Sequence, residues 1–161
     1  MSLSQAILDL ENRGVGPGGE PTLGDALELA ASEWRSGNRD RELRLHVLFL
    51  CWYCAAEPPF LTGVKEPTFP STRLPQLFQD VYDTFRDGIL DDAEGLFIVG
   101  LMAQLAPWAL GEDASTWNSR SATFRARYRK LLPGGLSPTA FAGRGAYGEY
   151  FAGQVAVPGG F

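Results

Sequence analysis

Residues 23–55, LGDALELAASEWRSGNRDRELRLHVLFLCWYCA, align without a gap with residues 74–106, LPQLFQDVYDTFRDGILDDAEGLFIVGLMAQLA. The offset is 51 residues, and seven of the 33 aligned pairs are identical. In both stretches apolar residues recur at i, i+4, i+7, i+8 and i+11, which is the spacing of an amphipathic helix. Each amphipathic segment runs into a glycine, Gly37 or Gly88, and then into a more apolar segment. The sequence therefore predicts two related αα-hairpins.

The rest of the chain also favours helices, and no convincing strand pattern occurs in it. We predict an all-α fold, a compact bundle of five to seven helices in a single domain over residues 1–161. Its predicted parts are an N-terminal segment (1–21), a first hairpin (22–57), a second hairpin (71–110), C-terminal helices (113–143) and a tail (144–161). The tail is rich in glycine and aromatic residues, and we expect it to be extended and to pack through Tyr147, Tyr150 and Phe151.

The two more apolar segments, about 40–56 and 92–105, are predicted to be the central helices. The second contains Gly95, Gly100 and Ala103, whose small size would let another backbone approach closely. The expected neighbours are the bulky residues of the first, Phe49, Trp52 and Tyr53.

Composition limits the classes of function. Fourteen basic and 19 acidic residues give a formal net charge of −5, which disfavours nucleic acid and anionic membranes as partners. The apolar run 47–56 has ten residues, whereas about 20 are needed to span a bilayer. The first ten residues lack the basic start and apolar run of a secretory signal. We expect a cytoplasmic protein without a membrane span.

Two motif-like features are better explained by packing than by chemistry. Cys51 and Cys54 have the CxxC spacing, but they lie inside an apolar helix, and no second cysteine pair completes a zinc site. His46 is the only histidine, and nothing in the sequence supplies the nucleophile and orienting acid of a triad. Its counterpart in the second stretch is Phe97, which favours a packing position. We therefore predict no catalytic residue.

Nucleotide and metal motifs are equally weak. Two GxGxxG matches, at 14–19 and 143–148, lack the preceding strand of a dinucleotide-binding unit. A group of acids between 87 and 94 lacks the spacing of a calcium loop, and helix capping accounts for most of its members, Asp87, Asp91, Asp92 and Glu94. We predict neither a cofactor nor a metal site.

One charged feature stands out, a block of bases without any acid on the predicted fifth helix, about 114–132. Two interpretations stay open for it. The bases form a solvated face paired with acids of neighbouring helices, or they bind a protein partner, possibly an acidic one. The candidate partner-binding residues are Arg120, Arg125, Arg127, Arg129 and Lys130.

For function we expect a protein–protein interaction or adaptor module, because helical hairpins offer grooves for peptides and helices. One alternative is a protein that binds an apolar small molecule between the two central helices, which a void between Gly100 and Trp52 would favour. The other is an enzyme whose site is assembled from distant Arg, Glu, Tyr or His residues. A deep polar pocket that holds Glu57 or His46 beside an arginine would favour the enzyme.

Overall fold

Hydrophobic spacing in this sequence produces helices throughout the described part of the chain. The computed structural model describes residues 3–15, 18–65, 73–158 and 160–161, and these residues form eight α-helices and no strand. The all-α prediction is therefore confirmed, with more helices than the five to seven expected. The helices are α1 (Gln5–Arg13), α2 (Leu23–Arg35), α3 (Arg41–Ala56), α4 (Pro59–Thr62), α5 (Leu74–Asp83), α6 (Ala93–Leu105), α7 (Ala114–Leu131) and α8 (Gly145–Val155).

None of these eight helices combines the length and the hydropathy that crossing a bilayer requires. Three short 3-10 turns complete the regular structure of the described residues, at Ile89–Asp91, Pro107–Ala109 and Pro138–Phe141. The buried apolar side chains of all these elements join into one core.

The two segments predicted to be central are the most buried helices. Every residue of α3 from 45 to 52 is buried, and so is every residue of α6 from 95 to 103. The two helices run in the same direction. Arg41 at the start of α3 contacts Asp92 at the start of α6, at 2.9 Å. Trp52, near the end of α3, donates its indole N–H to the Ala106 carbonyl just beyond α6, at 3.3 Å.

The two hairpins do not form equivalent packed pairs, so the structural side of the pseudo-repeat is not confirmed. In the first stretch α2 packs against α3. In the second stretch α5 packs chiefly against α3 of the first, and α6 packs chiefly against α7. Matching hydrophobic spacing makes each helix amphipathic, but it does not specify which neighbour covers the apolar side.

The prediction of an extended tail over 144–161 is wrong for most of its length, because Gly145–Val155 forms α8. Glycine is a poor helix former, and glycines at 145, 148 and 153 obscured the spacing of the apolar residues. Burial of aromatic side chains outweighs that weak propensity. Tyr147, Tyr150 and Phe151 all lie against Phe49, with ring centroids 6.0, 5.5 and 5.6 Å away, so this segment packs on its own domain.

Small residues do allow a close approach to α6, but the neighbour is not the one predicted. The space beside Gly100 is filled by the ring of Phe161, which a β-carbon at this position would overlap. From α7, the Ser121 hydroxyl donates a hydrogen bond to the Gly100 carbonyl at 2.7 Å. The close crossing is therefore between α6 and α7, and no void separates Gly100 from its neighbours.

We expect Gly100→Ala to lower the free energy of unfolding by about 1–3 kcal/mol, because the added methyl group displaces the buried Phe161 ring. The measurement is equilibrium unfolding in urea. Gly153→Ala is the control, since a β-carbon there meets open space in α8; it should stabilise by up to about 1 kcal/mol. Equal unfolding midpoints for Gly100→Ala and the wild type would contradict this packing.

Candidate functional site

The strongest concentration of polar chemistry lies where α3, α6 and α8 begin. Helix N-termini carry partial positive charge, so three of them at one end of the bundle attract acids. Side chains of α1, α3, α6 and α8, together with the residues preceding α6 and α8, meet there and form what we call the charge cluster. Its members are Glu11, Arg41, Glu42, His46, Asp92, Glu94, Arg144 and Tyr147.

Arg144, which precedes α8, joins the starts of α3 and α6. Its guanidinium donates to both oxygens of Glu42, at 2.8 and 2.6 Å, and to both oxygens of Glu94, at 3.2 and 2.7 Å. Such two-pronged contacts are the strong form of the arginine–carboxylate pair. Burial opposes the charge, but the two carboxylates outweigh burial and raise the pKa of Arg144.

His46 lies deeper, between two carboxylates. Its Nδ1 is 2.5 Å from Glu11 Oε2, and neither side chain has any exposed surface. Its Nε2 is 3.5 Å from Glu42 Oε2, which is ion-pair distance without a hydrogen bond. Burial disfavours the imidazolium, but the two acids raise the pKa of His46. Burial likewise opposes the charge of Glu42, yet His46 and Arg144 lower its pKa to about 2.

The outer edge of the charge cluster caps α6 and meets solvent. Asp92 accepts a hydrogen bond from the Gly95 backbone N–H at 3.0 Å, so the predicted helix-capping role of this acid is confirmed. The half-exposed Arg41 pairs with Asp92. Deeper in, the Tyr147 hydroxyl donates to Glu94, and burial, followed by the charge of Glu94, raises the pKa of Tyr147 well above its usual value.

The second GxGxxG match, 143–148, forms the start of α8, where it contacts Glu11 of the charge cluster. Glu11 Oε1 accepts the Tyr147 backbone N–H at 3.1 Å, so a carboxylate of the same chain occupies the start of α8. Gly145 has a φ of 69°, and a β-carbon there would lie 2.6 Å from Glu11 Oε1. Glycine is required at this position for both reasons. The first match, 14–19, includes residues 16 and 17, which lie outside the described residues.

The inner part of the charge cluster, around His46, is closed to solvent. Glu11 and His46 have no solvent-accessible side chain, and Tyr147 is also fully buried. A reacting group must come within hydrogen-bonding distance of its base, which the packing around His46 prevents. The arrangement joins four helices, and the two carboxylates that face His46 favour its charged form.

The cysteines occupy the core, as predicted. Cys51 and Cys54 are both free and buried. Burial raises the pKa of Cys51 well above its usual value, and it raises the pKa of Cys54 to about 12. Both thiols are therefore protonated at neutral pH, whereas a reactive cysteine needs its thiolate form.

The block of bases on α7 is largely engaged within the chain. Arg120 pairs with Glu112 at 3.0 Å, and Arg127 pairs with Asp91 at 2.9 Å. Arg129 donates to the backbone carbonyls of 160 and 161, both at 3.3 Å. These contacts support the interpretation that the basic residues of α7 pair with neighbouring groups of the same chain. In the described part of the chain, Arg125 and Lys130 form no ion pair; partner binding by the block stays a prediction.

Sequence reasoning found His46 and the acids before α6 but did not bring them together with Glu11 and Arg144. Among the described residues no group of three or more histidine, cysteine or acidic side chains is arranged to hold a metal ion. Comparison of the chain with protein-family models, with curated proteins and with solved structures finds no significant match. The function has to be argued from the residues themselves.

We expect Arg144→Ala to cost about 3 kcal/mol of unfolding free energy, because two mostly buried carboxylates lose the guanidinium that bonds to both of them. The matched control is Arg86→Ala, which breaks an exposed pair with Asp83 of 2.6 Å. That change should cost less than about 1 kcal/mol. Urea unfolding of the two variants measures both costs, and similar values for the two would show that the charge cluster is not a stabilising element.

The pH dependence of stability reports on His46. Its folded pKa is raised above the ordinary 6.5, so its contribution is complete below about pH 6.5 and is lost as pH rises through the folded value. Glu42 behaves oppositely, with a contribution present above pH 4.5 that is lost as pH falls towards 2. Unfolding free energies between pH 6.5 and about 8 should fall for the wild type. They should stay nearly level for His46→Gln, and a slope retained in this variant would contradict the assignment.

Proposed function

We propose that the chain is a protein-interaction module that binds its partner at the end of the bundle where α3 and α6 finish. The observation that carries the proposal is a set of large apolar side chains left in solvent there. Phe60 is 78% exposed and Trp108 is 67% exposed. We call this surface the apolar end, and its members are Phe60, Leu61, Leu105 and Trp108.

The apolar end is formed by the ends of α3 and α6 and the residues that follow them, and these two helix ends lie side by side. Trp52 lies one turn before the end of α3, and its indole N–H bonds to the Ala106 carbonyl just after α6. Phe60 and Leu61 follow α3 by a few residues, and Trp108 follows Ala106 by two. Because α3 and α6 run in the same direction, Phe60 and Leu61 lie at the same end of the bundle as Leu105 and Trp108. This end is opposite the charge cluster.

Exposed aromatic residues of this kind support binding. Folded chains bury aromatic side chains where they can, and contiguous exposed apolar surface marks interaction sites. Tryptophan is also enriched among the few residues that dominate the energy of an interface. By contrast, Arg120, Arg127 and Arg129 of the basic block already have partners within the chain. The apolar end is accordingly a better candidate surface than the basic block.

The two alternative functions gain no support from the packing. A small molecule between the central helices would need the space beside Gly100, which Phe161 fills. An enzyme built on His46 would need access to a ring that has none.

The test compares substitutions at the apolar end with the substitution of a similarly exposed leucine at the opposite end. Leu105 and Leu90 are 44% and 46% exposed, and Leu90 lies at the opposite end, beside the start of α6. The wild type, Leu105→Ser with Trp108→Ser, and Leu90→Ser would each be used to capture proteins from an extract of the source cell, with quantification by mass spectrometry.

We expect the protein captured by the wild type to fall by roughly ten-fold or more with Leu105→Ser and Trp108→Ser, because a tryptophan anchor typically contributes at least about 2 kcal/mol. Capture by Leu90→Ser should stay at the wild-type level. Equal capture by all three proteins, or equal loss in both variants, would contradict the proposal.

A further inference from the structure

A groove of about 260 Å³ lies between α8, the second half of α3 and the residues where α1 ends and α2 begins. Its lining includes three aromatic side chains and one acid, Phe49, Tyr53, Tyr150 and Glu149, together with the small or apolar Gly14, Val15, Leu23 and Ala146. Small-molecule sites usually enclose about 300–1,000 Å³. The size of this groove is therefore better suited to a single side chain of a partner than to a free ligand.

The aromatic residues form one continuous wall. Tyr53 and Tyr150 have ring centroids 6.0 Å apart, and Phe49 lies 5.4 Å from the first and 5.5 Å from the second. Tyr150 also packs edge-on against Trp52 at 5.7 Å, and Trp52 is bonded to Ala106. Through the buried Trp52, the wall is connected to Ala106, two residues before Trp108.

The charge around the groove is negative. Glu149 lines it and is exposed. The half-buried Glu57 directly follows α3 and is not part of the lining, but it is close enough for its charge to act on Tyr53 and Tyr150. After burial, the largest influence on Tyr53 is the charge of Glu57, and both act to raise its pKa. Burial, the neighbouring Tyr53 and Glu57 raise the pKa of Tyr150 to about 12. No basic side chain is among the described residues that line the groove.

We infer that the groove receives a lysine or arginine side chain of the partner, while apolar residues of the same partner segment cover the apolar end. This inference rests on the proposed function and specifies its partner as a segment that combines basic and apolar residues.

Each part of a basic side chain has a matching feature in the groove. The aliphatic stem packs on the aromatic wall. The cation lies over a tyrosine face, where the ring quadrupole attracts it, and within reach of the two carboxylates. An acidic or neutral side chain would gain neither of these electrostatic contacts. The net charge of −5 also favours the approach of a basic segment.

The test starts from a library of random peptides displayed on phage and selected on the whole folded protein. We expect the enriched peptides to combine aromatic or leucine residues with a lysine or arginine. One such peptide would then be synthesised with its lysine, or with norleucine in place of the lysine. Norleucine keeps the stem and removes the charge, so we expect it to bind roughly ten-fold more weakly.

The protein variant that completes the test is Glu57→Gln with Glu149→Gln, two conservative changes outside the buried core. In this variant the difference between the lysine and norleucine peptides should shrink, because the carboxylates no longer favour the charged peptide. A Tyr150→Leu variant removes one aromatic face while keeping an apolar side chain, and it should shrink the difference further.

The outcomes separate this inference from the proposed function. Enriched peptides that are apolar but lack basic residues, or norleucine peptides that bind as tightly as lysine peptides, would overturn the inference and leave the proposed function standing. Peptides whose binding survives Trp108→Ser unchanged would overturn the apolar end as the binding surface. Failure to enrich any peptide would count against both.

Discussion

Three helices that begin at the same end of a bundle bring three positive helix ends together, and the rest of this structure depends on how that charge is balanced. Glu42 and Glu94 lie in the first turns of α3 and α6, and Glu11 reaches the start of α8 from α1. Acids at these positions stabilise helix N-termini. Arg144 then neutralises the mutual repulsion of two of the acids by bonding to both. The cluster therefore balances the charge at the end where the parallel helices α3 and α6 begin.

The same arrangement divides the molecule into a closed polar end and an open apolar end. Packing at the polar end leaves His46 without access to solvent. The only histidine of the chain therefore contributes to packing and charge balance. At the other end, the chain leaves α3 and α6 with Phe60 and Trp108 in solvent. A buried ion cluster seldom adds much net stability over apolar packing, but breaking it is costly, so its role here is to fix the position of α8. With α8 in place, Tyr150 completes the aromatic wall of the groove.

The positions of most helices could be predicted from the sequence, but the contacts between the helices could not. Unbroken apolar runs identified α3 and α6 as central, because a helix that is apolar all round has to be buried. The spacing gave no indication that α6 would pack on α7, since any apolar face of suitable shape can cover another. The charge cluster was missed because Arg144 meets Glu42 across 102 residues of sequence and Tyr147 meets Glu11 across 136. A weak signal did exist, since Glu11 follows the buried Ile7 by four residues and so shares its side of α1.

The pKa of His46, which lies between two carboxylates, is the most direct test of the charge cluster. Because His46 is the only histidine, its ring gives a single set of NMR signals, and a pH titration of those signals measures its pKa without interference from other histidines. We expect a pKa clearly above the ordinary 6.5 and a ring N–H that exchanges slowly with water, because Nδ1 donates to the buried Glu11. A pKa at or below 6.5, with a ring that exchanges freely, would show that His46 is not held in this way and would contradict the charge cluster as the centre of the fold.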